Sequence, residues 1–150
     1  MGPGVFFDHF GPMTVESRSD VDVRPRPHCG LATITYLFEG AMLHRDSLGT
    51  VQRIEPGAVN WMSAGRGIVH SERRPDDLRG KPYRLHRLQL WAALPINLEE
   101  SGPTFAYTLA DRLPPFIEQG VEVRVLVGSI FGRMSPAIAA AEPRYVDLRF

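Results

Sequence analysis

The sequence contains a single cysteine, Cys29, and no hydrophobic run long enough to cross a bilayer. One thiol excludes an internal disulfide framework and is typical of proteins in a reducing compartment. The first residues, MGPGVFFDHFGP, lack the basic segment and long apolar core of a secretion signal. These features predict a cytoplasmic protein with no membrane partner.

A net charge is also missing, because seventeen basic and seventeen acidic residues cancel. The densest basic cluster, Arg73 and Arg74, is followed by Asp76 and Asp77, which is typical of a solvated loop. Nucleic-acid-binding domains usually carry a concentrated basic patch. We therefore expect no direct binding to nucleic acid.

Turn residues, by contrast, are frequent and closely spaced. With 150 residues and 43% hydrophobic content, the chain can fill one compact domain. Glycine and proline separate short segments rich in β-branched and aromatic residues, which favours strands over helices. Strands are predicted at 31–39, 51–54, 59–62, 68–72, 84–94, 105–109, 121–127 and 145–150. The fold class is therefore all-β, a sandwich or barrel, with at most one helical turn at 137–142.

The segment 56–72, PGAVNWMSAGRGIVHSE, carries the clearest chemistry. Residues two apart on a strand point to the same side, so His70 and Glu72 can converge on one point. A second histidine, His28, precedes the apolar strand at 31–39. Two histidines and a carboxylate are a set of ligands suited to a transition metal.

These motifs resemble the pirin family of the cupin superfamily. The resemblance rests on PHCGLATITYLFEG, HRDSLG, IEPGAVNWMSAGRGIVHSE and LQLWAALP. It implies a cupin-type β-barrel (jelly roll) in which three histidines and one glutamate hold a metal, usually iron. It also implies quercetin 2,3-dioxygenase activity, which is associated with bacterial and animal pirins.

The family pattern matches His28, His70 and Glu72, which become the predicted metal ligands, with Glu72 also the predicted catalytic residue. The first histidine of the family's His-Pro-His motif is Arg26 here. Arginine has no lone pair to donate, so it cannot ligate a metal. Either the three matched residues hold Fe(II) or another divalent metal while Arg26 turns away or binds an anion, or Arg26 pairs with Glu72 and the barrel is metal-free.

The other histidines are interpreted structurally. His44, in HRDSLG, is expected in a loop between strands, facing solvent or stabilising a turn. His9 is expected on an outer strand. His86 is in phase with Leu88 and Leu90, so it is expected in the core, with a role behind the metal ligands as its functional alternative.

Pirins usually consist of two tandem barrels, whereas this sequence resembles one barrel, residues 1–112, and the opening strands of a second, residues 113–150. Isolated strands leave unpaired edges. We therefore predict that the C-terminal strands pack on the barrel or are exchanged within a homodimer.

Three functions stay open at this point. The first is an Fe(II)-dependent dioxygenase acting on a small aromatic substrate. The second is a non-catalytic regulatory or protein-binding module whose metal site Arg26 has disabled. The third is a cupin that binds a small molecule through a carboxylate held by Arg26.

Overall fold

Strands form most of the chain in the computed structural model, which describes residues 4–139 and 144–150. The strands in chain order are β1 (Gly4–Val15), β2 (Val23–His28), β3 (Leu31–Glu39), β4 (Met42–Asp46), β5 (Val51–Ile54), β6 (Val59–Ser63), β7 (Ile68–Arg73), β8 (Tyr83–Ala93), β9 (Thr104–Thr108), β10 (Phe116–Glu118), β11 (Val121–Val127), β12 (Ser129–Ile130), β13 (Arg133–Met134) and β14 (Tyr145–Arg149). The helical segments are α1 (Ile96–Glu99) and two 3₁₀ turns, Asp76–Leu78 and Ala110–Arg112. The all-β prediction is confirmed.

Helical structure is scarce in the described residues. The helical turn expected at 137–142 is wrong for 137–139, which are irregular, and 140–142 lie outside the described residues. Among the residues that the structure describes, no helix has the length and apolar character needed to cross a membrane.

Two antiparallel sheets form the barrel. One has five strands in the order β1-β8-β3-β6-β9, and the other has four in the order β2-β7-β4-β5. The Glu72 carboxylate on β7 accepts hydrogen bonds from Thr35 on β3 and Arg87 on β8. These bonds join the two sheets across the interior, so the inner faces of the sheets enclose the site described below.

The five-stranded sheet separates an apolar outer layer from an interior in which polar side chains lie beside a second apolar cluster containing Leu37 and Leu85. Along β3, Ala32, Ile34 and Tyr36 belong to one buried apolar cluster, whereas Thr33 and Thr35 alternate with them and are also buried. Because successive side chains on a strand point to opposite faces, the threonines face the other side, toward Glu72. The strand is therefore buried on both faces.

The C-terminal strands cover the outer face of this sheet. A three-stranded sheet in the order β10-β11-β14 supplies Leu126 and Val127 to the cluster that contains Ile34. The Tyr36 hydroxyl donates to Asp147 on β14 at 3.2 Å. The strands thus pack on their own barrel, while the domain boundary expected after residue 112 stays a prediction.

The turn before β7 aims the strand that carries His70 and Glu72. Gly65 has φ +50°, and a Cβ there would lie 2.2 Å from the Ser101 carbonyl oxygen, so only glycine fits. The Arg66 amide donates to that same oxygen at 2.9 Å, and the Gly30 amide donates to the Gly65 carbonyl at 2.8 Å. The bend before β7 is therefore anchored on both sides.

Candidate metal centre

Three buried side chains on β4 and β7 converge inside the barrel. In the antiparallel register His44 lies opposite Glu72, and Asp46 lies opposite His70. One ligand atom from each of His44, His70 and Glu72 falls within 4.8 Å of the other two. All three residues are at least 98% buried, with exposures of 0%, 2% and 1% respectively. Two imidazoles and a carboxylate so arranged can hold a divalent transition metal.

The interpretation of His44 as a loop residue is wrong, because it lies on β4 with no exposed surface. Its Nε2–H donates to Asp46 Oδ2 at 3.0 Å, since an ionised carboxylate only accepts. This bond leaves Nδ1 with a free lone pair, buried and without a partner among the described residues. The tautomer suits metal binding through Nδ1.

Asp46 holds that tautomer firmly. Burial opposes its ionisation, but hydrogen bonds from His44 and from the amides of Leu48 and Thr50 outweigh this and keep the pKa of Asp46 below its usual value. Its Oδ1 accepts from those amides at 2.9 and 3.1 Å. The tight turn after β4 therefore orients a candidate ligand.

His70 is the most clearly unsatisfied side chain of the site. Both of its ring nitrogens are buried and lack a partner among the described residues. Burial lowers the pKa of His70 to about 4; Glu72 opposes this shift, and His44 and His28 add to it. Buried polar atoms are almost always bonded in folded proteins. A neutral imidazole has one nitrogen with a lone pair, which is available to a metal here, and one N–H, which needs an acceptor.

His28, a predicted ligand, lies beside this group rather than within it. Its ring centroid is 5.0 Å from that of His70 and 5.0 Å from that of Trp91, and its Nε2 is buried without a partner among the described residues. Burial and the charge of Arg26 lower its pKa, while Glu72 opposes the shift. The neutral ring at the end of β2 can approach a metal bound by His70.

Glu72 has both carboxylate oxygens engaged. Thr35 Oγ1 donates to Oε1 at 2.9 Å, and Arg87 Nη1 donates to Oε2 at 3.1 Å. Arg87 is 8% exposed, so this is a buried ion pair. The carboxylate is thereby fixed in orientation, with its charge offset by an arginine that the sequence analysis did not single out.

Arg26 does not form the pair with Glu72 that was one of its two expected roles. It pairs in register with His70 from the neighbouring strand, but its side chain is exposed. Within the described chain, the arginine that bonds Glu72 is Arg87 and not Arg26. The Arg26 side chain therefore turns away from the barrel instead of pairing with Glu72, while metal binding by the three matched residues stays a prediction.

The remaining histidines lie outside the barrel interior. His86 and His9 approach each other, with 2.7 Å between their Nε2 atoms, and His86 also packs on Phe38 at a centroid distance of 4.4 Å. His86 is half-buried on the face of β8 opposite Arg87. A role behind the metal ligands is therefore wrong for His86, while the outer strand expected for His9 is confirmed as β1.

Two sequence signals could have revealed the residues that were missed. His44 and Asp46 follow Met42 at intervals of two, which is the period of a strand with one buried face. Leu85, Arg87 and Gln89 also follow one another at intervals of two, and all three are buried on one face of β8. In each case a polar residue occupies an inward position, and such a residue needs an internal partner.

Comparisons with known proteins identify the family of the chain. The family model described as Pirin matches residues 1–92. The chain belongs to the pirin family. A pirin-like protein of Caulobacter vibrioides is 44% identical over 138 residues, covering 90% of this chain and 48% of the relative. Mouse pirin is 34% identical over 124 residues, covering 82% and 41%.

A solved structure extends the similarity to the fold. The crystal structure of a quercetin 2,3-dioxygenase from Acinetobacter baumannii matches with a TM-score of 0.89 and 41% identity, covering 98% of this chain and 47% of that one. The cupin-type barrel implied by the resemblance is thus confirmed. The chain spans about half the length of these pirin-family relatives.

Proposed function

We propose that this pirin chain binds a divalent transition metal, iron(II) in its oxygenase form, through His44, His70 and Glu72, with His28 as the fourth ligand. The observation that carries the proposal is a set of buried nitrogens on His28, His44 and His70 that lack a partner in the described part of the chain, with ligand atoms of His44 and His70 within 4.8 Å of a Glu72 oxygen. His44 replaces the nitrogen lost at Arg26, so three histidines and one glutamate are available again.

We assign the site to dioxygenase chemistry of the quercetin 2,3-dioxygenase type. When bound, iron(II) supplies the Lewis acidity and redox chemistry that oxygenation requires. The chain supplies the rest: Glu72 is the carboxylate placed to take the proton of a substrate hydroxyl, and Thr35 orients it through Oε1. Support comes from the 41% identity to the solved quercetin 2,3-dioxygenase of Acinetobacter baumannii.

The substrate class follows from the same site. A small aromatic molecule with adjacent hydroxyl and oxo groups can chelate a metal and place its rings against apolar walls. Phe105, stacked on His44 at a centroid distance of 4.5 Å, and Trp91, beside His28, supply aromatic surface. This surface suits a flavonol.

A second candidate function is favoured by the ion pair between Arg87 and Glu72. If the guanidinium keeps the carboxylate, the site is closed without metal, and the barrel serves as a regulatory or protein-binding module. In this alternative Arg87, and not Arg26, closes the site by pairing with Glu72.

One experiment separates the two functions. The protein is loaded with Fe(II) without oxygen and desalted, and iron is then measured in the parent, His70→Gln and His9→Gln. We expect close to one iron per chain in the parent and in His9→Gln, whose change lies outside the barrel, and almost none in His70→Gln. Oxygen uptake with quercetin then tests the activity.

The outcomes are distinct. A parent that retains no iron contradicts the metal site and favours the regulatory module. Iron without quercetin-dependent oxygen uptake contradicts the dioxygenase alone. The homodimer and the cytoplasmic location stay predictions; a monomer in light scattering at micromolar concentration would contradict the first.

A further inference from the structure

Arg87 is an unusual residue for the inside of a barrel. It lies on β8 between the inward-facing Leu85 and Gln89 and is 8% exposed. A buried guanidinium is retained only where its charge is compensated. Its partner for that purpose is a candidate metal ligand, Glu72, at 3.1 Å.

The other contacts of Arg87 show how it can move. Nη2 lies 3.8 Å from Asp8 on β1, which is longer than a hydrogen bond, and Nη1 lies 3.5 Å from Met42 Sδ. The guanidinium carbon lies 5.4 Å from the centroid of the Phe10 ring. Nε has no partner among the described residues. A small shift of the guanidinium would therefore move it from the Glu72 carboxylate to that of Asp8, while it stays beside Met42 and Phe10.

Arg87 occupies the carboxylate that a metal at this site would need. Thr35 donates a hydrogen bond to Oε1 of Glu72, and Arg87 donates one to Oε2. Both oxygens of the carboxylate are therefore already engaged. A divalent cation beside the guanidinium meets a repulsion that a buried site screens poorly. The ion can gain the full charge of Glu72 only if Arg87 withdraws.

We propose that Arg87 sets the metal affinity of this site by competing with the cation for Glu72, and that Asp8 receives the guanidinium when the metal binds. This inference rests on the proposed metal site. A hydrogen bond between charged groups corresponds to roughly ten- to hundredfold in an equilibrium constant, which fixes the size of the expected effect.

The test is a calorimetric titration of the apo protein with Ni²⁺, which does not oxidise in air. Arg87→Met removes the charge and keeps an apolar stem of similar length, so we expect tightening of about tenfold or more. Arg87→Lys keeps the charge and should stay close to the parent. Arg84→Met is the matched control: it removes an exposed arginine of the same strand, paired with Glu39 at 3.0 Å, and should leave the affinity unchanged.

The sign of the change decides the interpretation. A residue that merely orients a ligand normally costs affinity when it is removed, by about ten- to hundredfold. Weaker or unchanged Ni²⁺ binding in folded Arg87→Met therefore overturns the inference while leaving the metal site standing. If neither the parent nor this variant binds Ni²⁺, the proposed metal site itself fails.

Asp8 provides a second test, and Asp8→Asn alone does not require Arg87→Met to fold. Asp8→Asn removes the alternative partner, so Arg87 should hold Glu72 more tightly and Ni²⁺ affinity should fall severalfold. In the Arg87→Met background, the same change should have no effect, because the coupling between the two sites requires the guanidinium. An unchanged affinity in Asp8→Asn alone would contradict the exchange.

Discussion

The burial of neutral His70 predicts that the metal-free protein is sensitive to mild acid. His70 is 2% exposed, and burial lowers its pKa from 6.5 to about 4. Between these values the unfolded chain binds a proton at this position that the folded chain does not. The free energy of unfolding must therefore fall as the pH drops through this window, and His70 contributes its full stability only above pH 6.5.

The size of the loss in unfolding free energy follows from the difference between the two pKa values of His70. A pKa difference of one unit corresponds to about 1.4 kcal/mol, so the shift of His70 predicts a loss of about 3 kcal/mol. The assay is urea unfolding of the EDTA-treated protein at pH 7.5 and pH 4.5. The control is His70→Asn, whose amide does not titrate but retains hydrogen-bonding capacity.

The difference between the two proteins isolates His70, since every other titrating group is common to both. We expect the parent to lose about 2 to 3 kcal/mol more than His70→Asn between the two pH values. Equal losses would mean that His70 takes up its proton in the folded state at its ordinary pKa. That result would refute the conclusion that His70 is buried as a neutral imidazole in the metal-free protein.

Three further predictions follow from other parts of the chain. Leu126→Ala should cost about 3 kcal/mol in urea unfolding, because this fully buried residue joins the C-terminal strands to the barrel, and a cost near zero would contradict that packing. Arg74→Met should cost about 2 kcal/mol in the same assay, because the guanidinium donates to three backbone carbonyls of residues 16–19, whereas Arg73→Met should be neutral. Arg26→His should tighten Ni²⁺ binding, because it removes a positive charge and places an imidazole opposite His70; an unchanged affinity would contradict this reasoning.

Most strands could be predicted from local pattern. The segment predicted at 121–127 is β11, and that predicted at 31–39 is β3, with the same bounds. Both have the β-branched residues and the burial that pleated strands require. The strand β4 was missed because its letters, MLHRD, look polar and precede a turn. Its inward positions hold a histidine and an aspartate that satisfy each other, and a single sequence does not display that pairing.

The candidate site was predictable only in part, because one of its residues joins the others through strand pairing and not through local spacing. The i, i+2 spacing of His70 and Glu72 defines a shared face, so their convergence follows from strand geometry alone. His44 joins them through the pairing of β4 with β7, in which it lies opposite Glu72. Register between strands depends on the whole sheet, so no local motif indicates it.

The two arginines show where such reasoning stops and why the site still makes physical sense. Arg26 replaces a histidine of the family motif, but it lies on the edge strand β2, where water solvates its charge. Arg87 lies on β8, between two other strands of its sheet, where it is only 8% exposed and a carboxylate compensates its charge. Edge or central position in the sheet, rather than motif, therefore decides which arginine acts on Glu72. For the same reason a charge-removing change at Arg87 should alter metal binding more than the same change at Arg26.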